Sequence, residues 1–211
     1  SFTVNFGESV TGFDSSDLAL SGTASGGSPT AINFAGSSST YTFDVVPSSD
    51  GTVIVNIAAA AASDAATNNS NAATQFTITS DKISPTISSV TPATSSTVNG
   101  GFSTAYTLSE AVSSGTVTFV RTGGTADALT HTYNFAPGDK TSGAHSITRT
   151  VLEAGFANSL VSGAIYTMTI SATDAASNTA TPVSNTAITY DNVAPTISSV
   201  TPATSSTVNG G

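Results

Sequence analysis

The sequence predicts an all-β protein made of successive β-sandwiches, and three observations lead to this prediction. Short segments alternate apolar residues with Ser and Thr at a period of two, which is typical of half-buried antiparallel strands. Clusters of Gly, Pro, Asn, Asp and Ser separate these segments and supply turns. A 17-residue stretch, PTISSVTPATSSTVNGG, occurs unchanged at 85–101 and 195–211, which indicates a repeat array.

The composition of the 211 residues excludes several classes of protein. Four Lys and Arg against 13 Asp and Glu give a formal net charge of −9, so no basic face is available for nucleic acid. No apolar run reaches the roughly 18 residues of a membrane-spanning helix, so we expect no membrane insertion. The absence of Cys excludes disulfides, thiolate zinc sites and a cysteine nucleophile.

The first part of the chain contains four alternating segments: SFTVNF, TYTFDV, GTVIVNI and TQFTIT. Each is expected to be a strand with one apolar face and one Ser/Thr face. The inward positions are Phe2, Val4 and Phe6, then Tyr41, Phe43 and Val45, then Val53, Val55 and Ile57, and finally Phe76 and Ile78.

The middle of the chain predicts seven strands with turn residues between them. This spacing is that of an immunoglobulin-like sandwich, here without the disulfide and the core Trp of antibody domains. A helix is expected for a single turn at most, within 149–160, with Leu152 and Phe156 facing inward. The predicted strands lie near 86–90 (A), 103–109 (B), 115–121 (C), 130–135 (D), 144–150 (E), 164–173 (F) and 182–190 (G).

The repeat divides the chain into three parts. Residues 84–193 are predicted to form a complete domain, and residues 1–83 are predicted to form a domain without its own strand A. Residues 194–211 are predicted to be the strand A of a following repeat. Joining the two chain ends gives NGGSFTVNFGESV, which matches the internal NGGFSTAYTLSEAV within one residue. Residues 194–211 are therefore expected to complete the first domain of the next unit. The junction is either a strand donated between chains or a continuous polypeptide, and the restored register favours the second.

Several motifs resemble the bacterial immunoglobulin-like repeats of large surface proteins and adhesins. They are FGESVTGF at 6–13, YTFDVVP at 41–47, DGTVIV at 50–55 and the turn SDAATN at 63–68. The resemblance implies tandem sandwiches in an extracellular fibre, stalk or adhesin on a bacterial surface, with copies of the same chain as partners. Thr67 and Ser177 stand where the family's turn has Gly, which argues against positive φ there unless Asn68 or Asn178 adopts it.

The few acidic residues predict a Ca²⁺ site at each module junction. In such a sandwich the B–C and F–G loops lie at the N-terminal pole, close to the incoming linker, and carboxylate and amide oxygens suit a hard cation. The resemblance to calcium-stiffened bacterial repeats implies the same. The candidate ligands at the internal junction are Asp81, Glu110, Asp174 and Asn178. Glu8 and Asp64 are the equivalent candidates in the first domain, and Asp191 is the equivalent linker residue at the next junction.

A metal-free interpretation of these acids stays open. DAATN and DAASN are good Asx-turn sequences, because Asp and Asn side chains accept hydrogen bonds from nearby backbone. Most other acids, including Asp127 and Asp139, are expected at solvated loop or edge positions. His131 and His145 are expected on strand surfaces, without the partners that catalysis requires.

Two functions from different classes remain. The first is a structural repeat segment that assembles head to tail in an extracellular fibre. The second is an adhesion module whose loops bind a surface glycan or a host protein, although the absence of Trp argues against a sugar platform. We do not expect an enzyme, since no catalytic constellation is recognisable.

Overall fold

A computed structural model describes residues 1–27, 29–199 and 207 of the chain. It is all-β, with 45% strand and 8% helix, so the all-β prediction is confirmed. The described residues include no helix with the length and hydropathy needed to cross a membrane. The chain divides into two compact units: Ser1–Ser84 with Ala175–Asn178, and Pro85–Asp174 with the described residues from Thr179 onward.

The first unit contains two three-stranded antiparallel sheets. One sheet has the order β1-β4-β3 and the other the order β2-β5-β6, so that β1 and β6 are edge strands. Their bounds are β1 Phe2–Asn5, β2 Leu18–Ser21, β3 Ala31–Ser37, β4 Thr40–Val45, β5 Gly51–Ile57 and β6 Phe76–Ser80.

Alternation along the strands decides which side chains the first unit buries. Tyr41 and Phe43 on β4 and Val53 on β5 are buried, while Thr42 between the β4 pair remains exposed. The ring of Phe2 stacks on that of Phe43 with 5.0 Å between centroids. Aromatic burial of this kind is the main favourable term for a domain without disulfides.

The second unit contains a five-stranded sheet of order β11-β10-β13-β14-β8 and a three-stranded sheet of order β12-β9-β7. All strand pairs are antiparallel except that of β8 with β14. Each of the seven strands predicted for this region has a counterpart. The bounds are β7 Ile87–Thr91, β8 Thr97–Val98, β9 Ser103–Leu108, β10 Ser114–Gly124, β11 Thr130–Asn134, β12 Gly143–Thr148, β13 Ala164–Thr173 and β14 Val183–Tyr190.

The core of the second unit lies between these sheets. Strand β13 alternates without exception between buried and half-buried residues, and Tyr166, Met168 and Ile170 have no exposed surface. Phe119 on β10 and Tyr106 on β9 pack into the same cluster. A period of two along a central strand is what a two-layer sandwich requires of its sequence.

The segment after β12 forms a helix, α1 (Arg149–Gly155), which is longer than the single turn expected from the sequence. Seven residues make about two turns at 3.6 residues per turn, so that prediction is wrong. An i,i+4 ion pair between Arg149 and Glu153 supports the extra turn, and Arg149 Nε donates to the Gly100 carbonyl at 2.6 Å. Leu152 and Phe156 are buried, as predicted.

Candidate metal centre

The first unit carries one of two Asp-Ala-Ala turns that lie 110 residues apart, at 64–66 and 174–176. Oδ1 of Asp64 accepts from the backbone N–H groups of Ala66 and Asn68 at 2.8 and 2.9 Å, and Oδ2 accepts from Asn68 Nδ2 at 2.8 Å. Hydrogen bonds from Asn68 and Ala66 hold the pKa of Asp64 below its usual value. Turn chemistry alone therefore satisfies much of the bonding capacity of this carboxylate.

Positive φ occurs in both turns at the positions where the sequence argued against it. Thr67 has φ 65° and Ser177 has φ 73°, and neither neighbouring Asn takes the left-handed conformation. That expectation is wrong because the loop closes on itself: Thr67 N–H donates to the Asp64 carbonyl, and Asp64 N–H to the Asn68 carbonyl, both at 3.1 Å. Closing the turn outweighs the cost of about 1–2 kcal/mol for a residue with a Cβ in this region.

Glu110 and Asp174 lie together in the second unit. One carboxylate oxygen of Glu110 is within 4.8 Å of one of Asp174, and Asp174 is only 3% exposed. Ser113 Oγ donates to the Asp174 carbonyl at 2.5 Å and to the Thr173 carbonyl at 3.0 Å, which holds the two loops together. Two oxygens bound to one Ca²⁺ lie at most about 5 Å apart, so the donor set fits this ion.

Like charges at this separation repel when one of them is buried. A divalent cation bound to both carboxylates would offset that repulsion. The Glu110–Asp174 pair is thus the part of the predicted ligand set whose chemistry fits a hard cation.

The other predicted ligands make hydrogen bonds of their own or line a second groove. Asp81 belongs to the first unit, where its Oδ1 accepts from the N–H of Ile83 at 3.1 Å and its carbonyl accepts from Asn178 Nδ2 at 3.1 Å. Asp191 is exposed, and its Oδ1 accepts from the N–H of Val193 at 3.0 Å. In the first unit, Glu8 and Asp64 line one groove of about 330 Å³, beside several Asn side chains.

A buried polar network in the second unit was missed at the level of sequence. His131 is 1% exposed, so its expected place on a strand surface is wrong. Its Nε2 lies 2.7 Å from Asp127 Oδ2, and its Nδ1 lies 2.8 Å from the Asn158 carbonyl. Asp127 is not a solvated loop residue either, since its side chain is 5% exposed. The phase of His131 with Tyr133 and Phe135 along β11 was the signal that could have found it.

This network has a structural character. Both ring nitrogens of His131 are occupied by partners within the unit, so neither is available to take a proton from a substrate. Burial raises the pKa of Asp127, but hydrogen bonds from Tyr166 and His131 outweigh it, and the net shift is downward.

A similar carboxylate contact involves Asp139, which was also expected to be solvated. Its Oδ2 accepts from the Tyr133 hydroxyl at 2.7 Å and from the N–H of Ala136 at 2.9 Å. Burial and this bond raise the pKa of Tyr133 to about 12. His145 is half-buried and stacks on Tyr106 with 5.1 Å between ring centroids.

Comparison with known proteins adds no family assignment. No protein-family model matches the sequence, and no curated protein matches it.

Proposed function

We propose that the chain is a structural repeat segment of an extracellular bacterial fibre, stalk or adhesin, built from tandem immunoglobulin-like sandwiches. The observation that carries this proposal is the 17-residue repeat, whose first copy forms β7 and β8 of the second unit. A sequence that builds a sandwich edge and then recurs unchanged is what a tandem array requires. Residues 194–211 would complete the first domain of the next unit; residues 200–206 and 208–211 of this segment lie outside the described residues.

The sheet order of the second unit supports the immunoglobulin-like part of the proposal. Its N-terminal segment contributes β7 to one sheet and β8 to the other, and β10 and β13 lie at the centre of the larger sheet. Two mainly antiparallel sheets packed in this way are what an immunoglobulin-like sandwich requires.

The placement of the tyrosines favours a structural role over glycan binding. All five tyrosines are buried, at 41, 106, 133, 166 and 190, with exposures of 7% or less. Sugar platforms need exposed aromatic faces, and in this chain the Tyr rings stabilise the cores instead.

Calcium is proposed to stiffen the array at its junctions. Glu110 and Asp174 of the second unit would supply carboxylate ligands. The sequence prediction adds Asp81 from the linker as a further candidate. A hard divalent cation would neutralise these carboxylates and restrain the loops that carry them.

Mechanical unfolding tests the structural role. With the full chain tethered by its two ends, the second unit should resist force until it unfolds in one step. The unfolding step should lengthen the tether by on the order of 300–400 Å, because an extended chain spans about 3.3–3.6 Å per residue. Extension at low force without a discrete unfolding event would contradict the proposal. A glycan array probed with the same chain is the matched test of the adhesion alternative, and antibody labelling of intact cells of the producing bacterium tests the extracellular location.

A further inference from the structure

An apolar groove runs between the two open sheet edges of the first unit. Strand β1 pairs with β4 on one side, β6 pairs with β5 on one side, and the groove of about 550 Å³ lies between their other edges. Its lining includes Phe2, Val4, Phe76 and Ile78. Phe76 is 54% exposed and Ile78 is 37% exposed, although the alternation of the sequence directs Ile78 inward.

The second unit has a chain segment at the corresponding place. Its strand β7 pairs with β9, and its strand β8 pairs with β14, so that residues 85–101 cover both edges. The N–H groups of Thr189 and Asp191 on the β14 side donate to the carbonyls of Ser96 and Val98, both at 2.9 Å. With this segment present, Ile188 on β14 is only 1% exposed.

The two units correspond residue by residue at these edges. Counting back 110 residues from the repeat, Ile188 corresponds to Ile78 and β14 to β6. The motif Glu-x-Val follows β1 in the first unit and β9 in the second, at Glu8 and Glu110, which makes β1 the counterpart of β9. The edges covered in the second unit are therefore those that flank the groove in the first.

We propose that this groove is an acceptor site for the sequence of residues 195–211, supplied by a neighbouring repeat of the array. The occupant has the same sequence as residues 85–101, which cover the equivalent edges in the second unit. In the described part of this segment, 195–199 has no strand, and Ile197 is 87% exposed. The inference rests on the proposed repeat function and adds the acceptor surface, its ligand and its register.

The internal copy predicts the register of the bound segment. Ile87 lies opposite Leu108, so Ile197 should lie opposite Phe6 in the acceptor. Thr97 lies opposite Thr189 in a parallel pair, so Thr207 should lie opposite Thr79. The N–H groups of Thr79 and Asp81 would then donate to the incoming strand, as those of Thr189 and Asp191 do in the second unit.

The binding energy should come from apolar burial and from edge hydrogen bonds. The segment carries no charged residue, and its Ile and Val residues match an apolar groove. Salt should therefore have little effect on the affinity, in contrast to association driven by charge.

The test is titration of a fluorescently labelled peptide of sequence 195–211 with the full chain carrying Ile197→Asp, which disables its own terminal segment as a competitor. We expect a saturable rise in anisotropy, reversed by unlabelled peptide. The same peptide with Asp at its Ile197 position should bind at least about tenfold more weakly, because it would place an unpaired charge in the groove. Hydrogen exchange should slow at Thr79 and Asp81 when the peptide binds.

Two further substitutions in the chain locate the site. Ile78→Asp in the groove should abolish peptide binding, whereas Ile32→Asp on β3, at a residue 45% exposed, should leave it unchanged. Both residues are partly exposed on edge strands, so their effects on folding are comparable. Absence of saturable binding, or equal effects of the two substitutions, would overturn the acceptor assignment. If the chain does not bind the peptide but still unfolds in discrete mechanical steps, the acceptor assignment is wrong and the proposed structural function stands.

Discussion

The hydroxyl of Tyr166 donates a hydrogen bond to Oδ2 of Asp127 at 2.7 Å, deep inside the second unit. The same carboxylate oxygen lies 2.7 Å from Nε2 of His131, and Oδ1 accepts from the N–H of Leu129 at 3.2 Å. The Tyr166 hydroxyl in turn accepts from the N–H of Val161 at 2.9 Å. Asp127 therefore ties the loop after β10 to β11 and β13, and it does so as an ionised group.

Acid should destabilise the second unit through Asp127. Its pKa is held below the usual value near 3.8, so its contribution to stability is complete above that pH and is lost as the pH falls through the lower folded-state pKa. Asp127→Asn should lower the free energy of unfolding at pH 7 by about 1.5–3 kcal/mol, the range of hydrogen bonds to charged groups. It should also reduce the loss of stability between neutral and acid pH, as measured by urea unfolding at several pH values.

Asp14→Asn is the matched control for this measurement. Asp14 is exposed and caps a short 3-10 turn, where Asn is an equally good capping residue. The control should unfold as the parent chain does. An acid response of Asp127→Asn identical to that of the parent would show that the network does not sense pH through this carboxylate.

Replacing Thr67 with Gly should stabilise the first unit. Thr67 has φ 65°, a conformation that Gly adopts without steric cost. The relief of backbone strain should exceed the cost of the greater conformational entropy that Gly gives the unfolded chain. The net gain in the free energy of unfolding should be about 1 kcal/mol. Thr67→Ala, which keeps a Cβ at the same φ, should give much less. Denaturant midpoints of the two variants check this, and equal midpoints would contradict strain at this residue.

Calcium should raise the melting temperature of the chain, and Asp174→Asn should remove that increase. A cation that binds only the folded state adds about 2.7 kcal/mol at a concentration 100 times its dissociation constant. Calorimetric melts in Ca²⁺ and in chelator measure the difference, with Asp14→Asn again as the charge-matched control. Identical melts of the parent chain in the two buffers would favour the turn-only interpretation of the Asp-Ala-Ala motifs.

The strands of the second unit were largely predictable from sequence. Period-two alternation places Tyr166, Met168 and Ile170 on one face of β13, and these side chains fill the core. Such alternation is a local property, because successive side chains of any strand point to opposite faces. Turn residues then mark the ends of each strand with similar reliability.

The errors arose where distant contacts override local preference. His131 has an ordinary polar side chain in a Thr-rich strand, and its burial depends on an acceptor at Asn158. The start of α1 is held by Arg149, whose Nε donates to the Gly100 carbonyl 49 positions earlier in the chain. Thr67 keeps positive φ because its loop closes on Asp64. Propensity carries little information about any of these partners.

The amino-acid sequence by itself determined the all-β class, the alternation of buried faces and the identity of residues 85–101 with 195–211. The tertiary structure alone decided that Ile188 is covered while Ile78, 110 residues earlier, stands open in a groove. The physical reason is that alternation names the face on which a side chain lies, whereas its burial requires a second surface. For Ile188 that surface includes the segment 85–101, and for Ile78 we propose the same sequence from a neighbouring repeat.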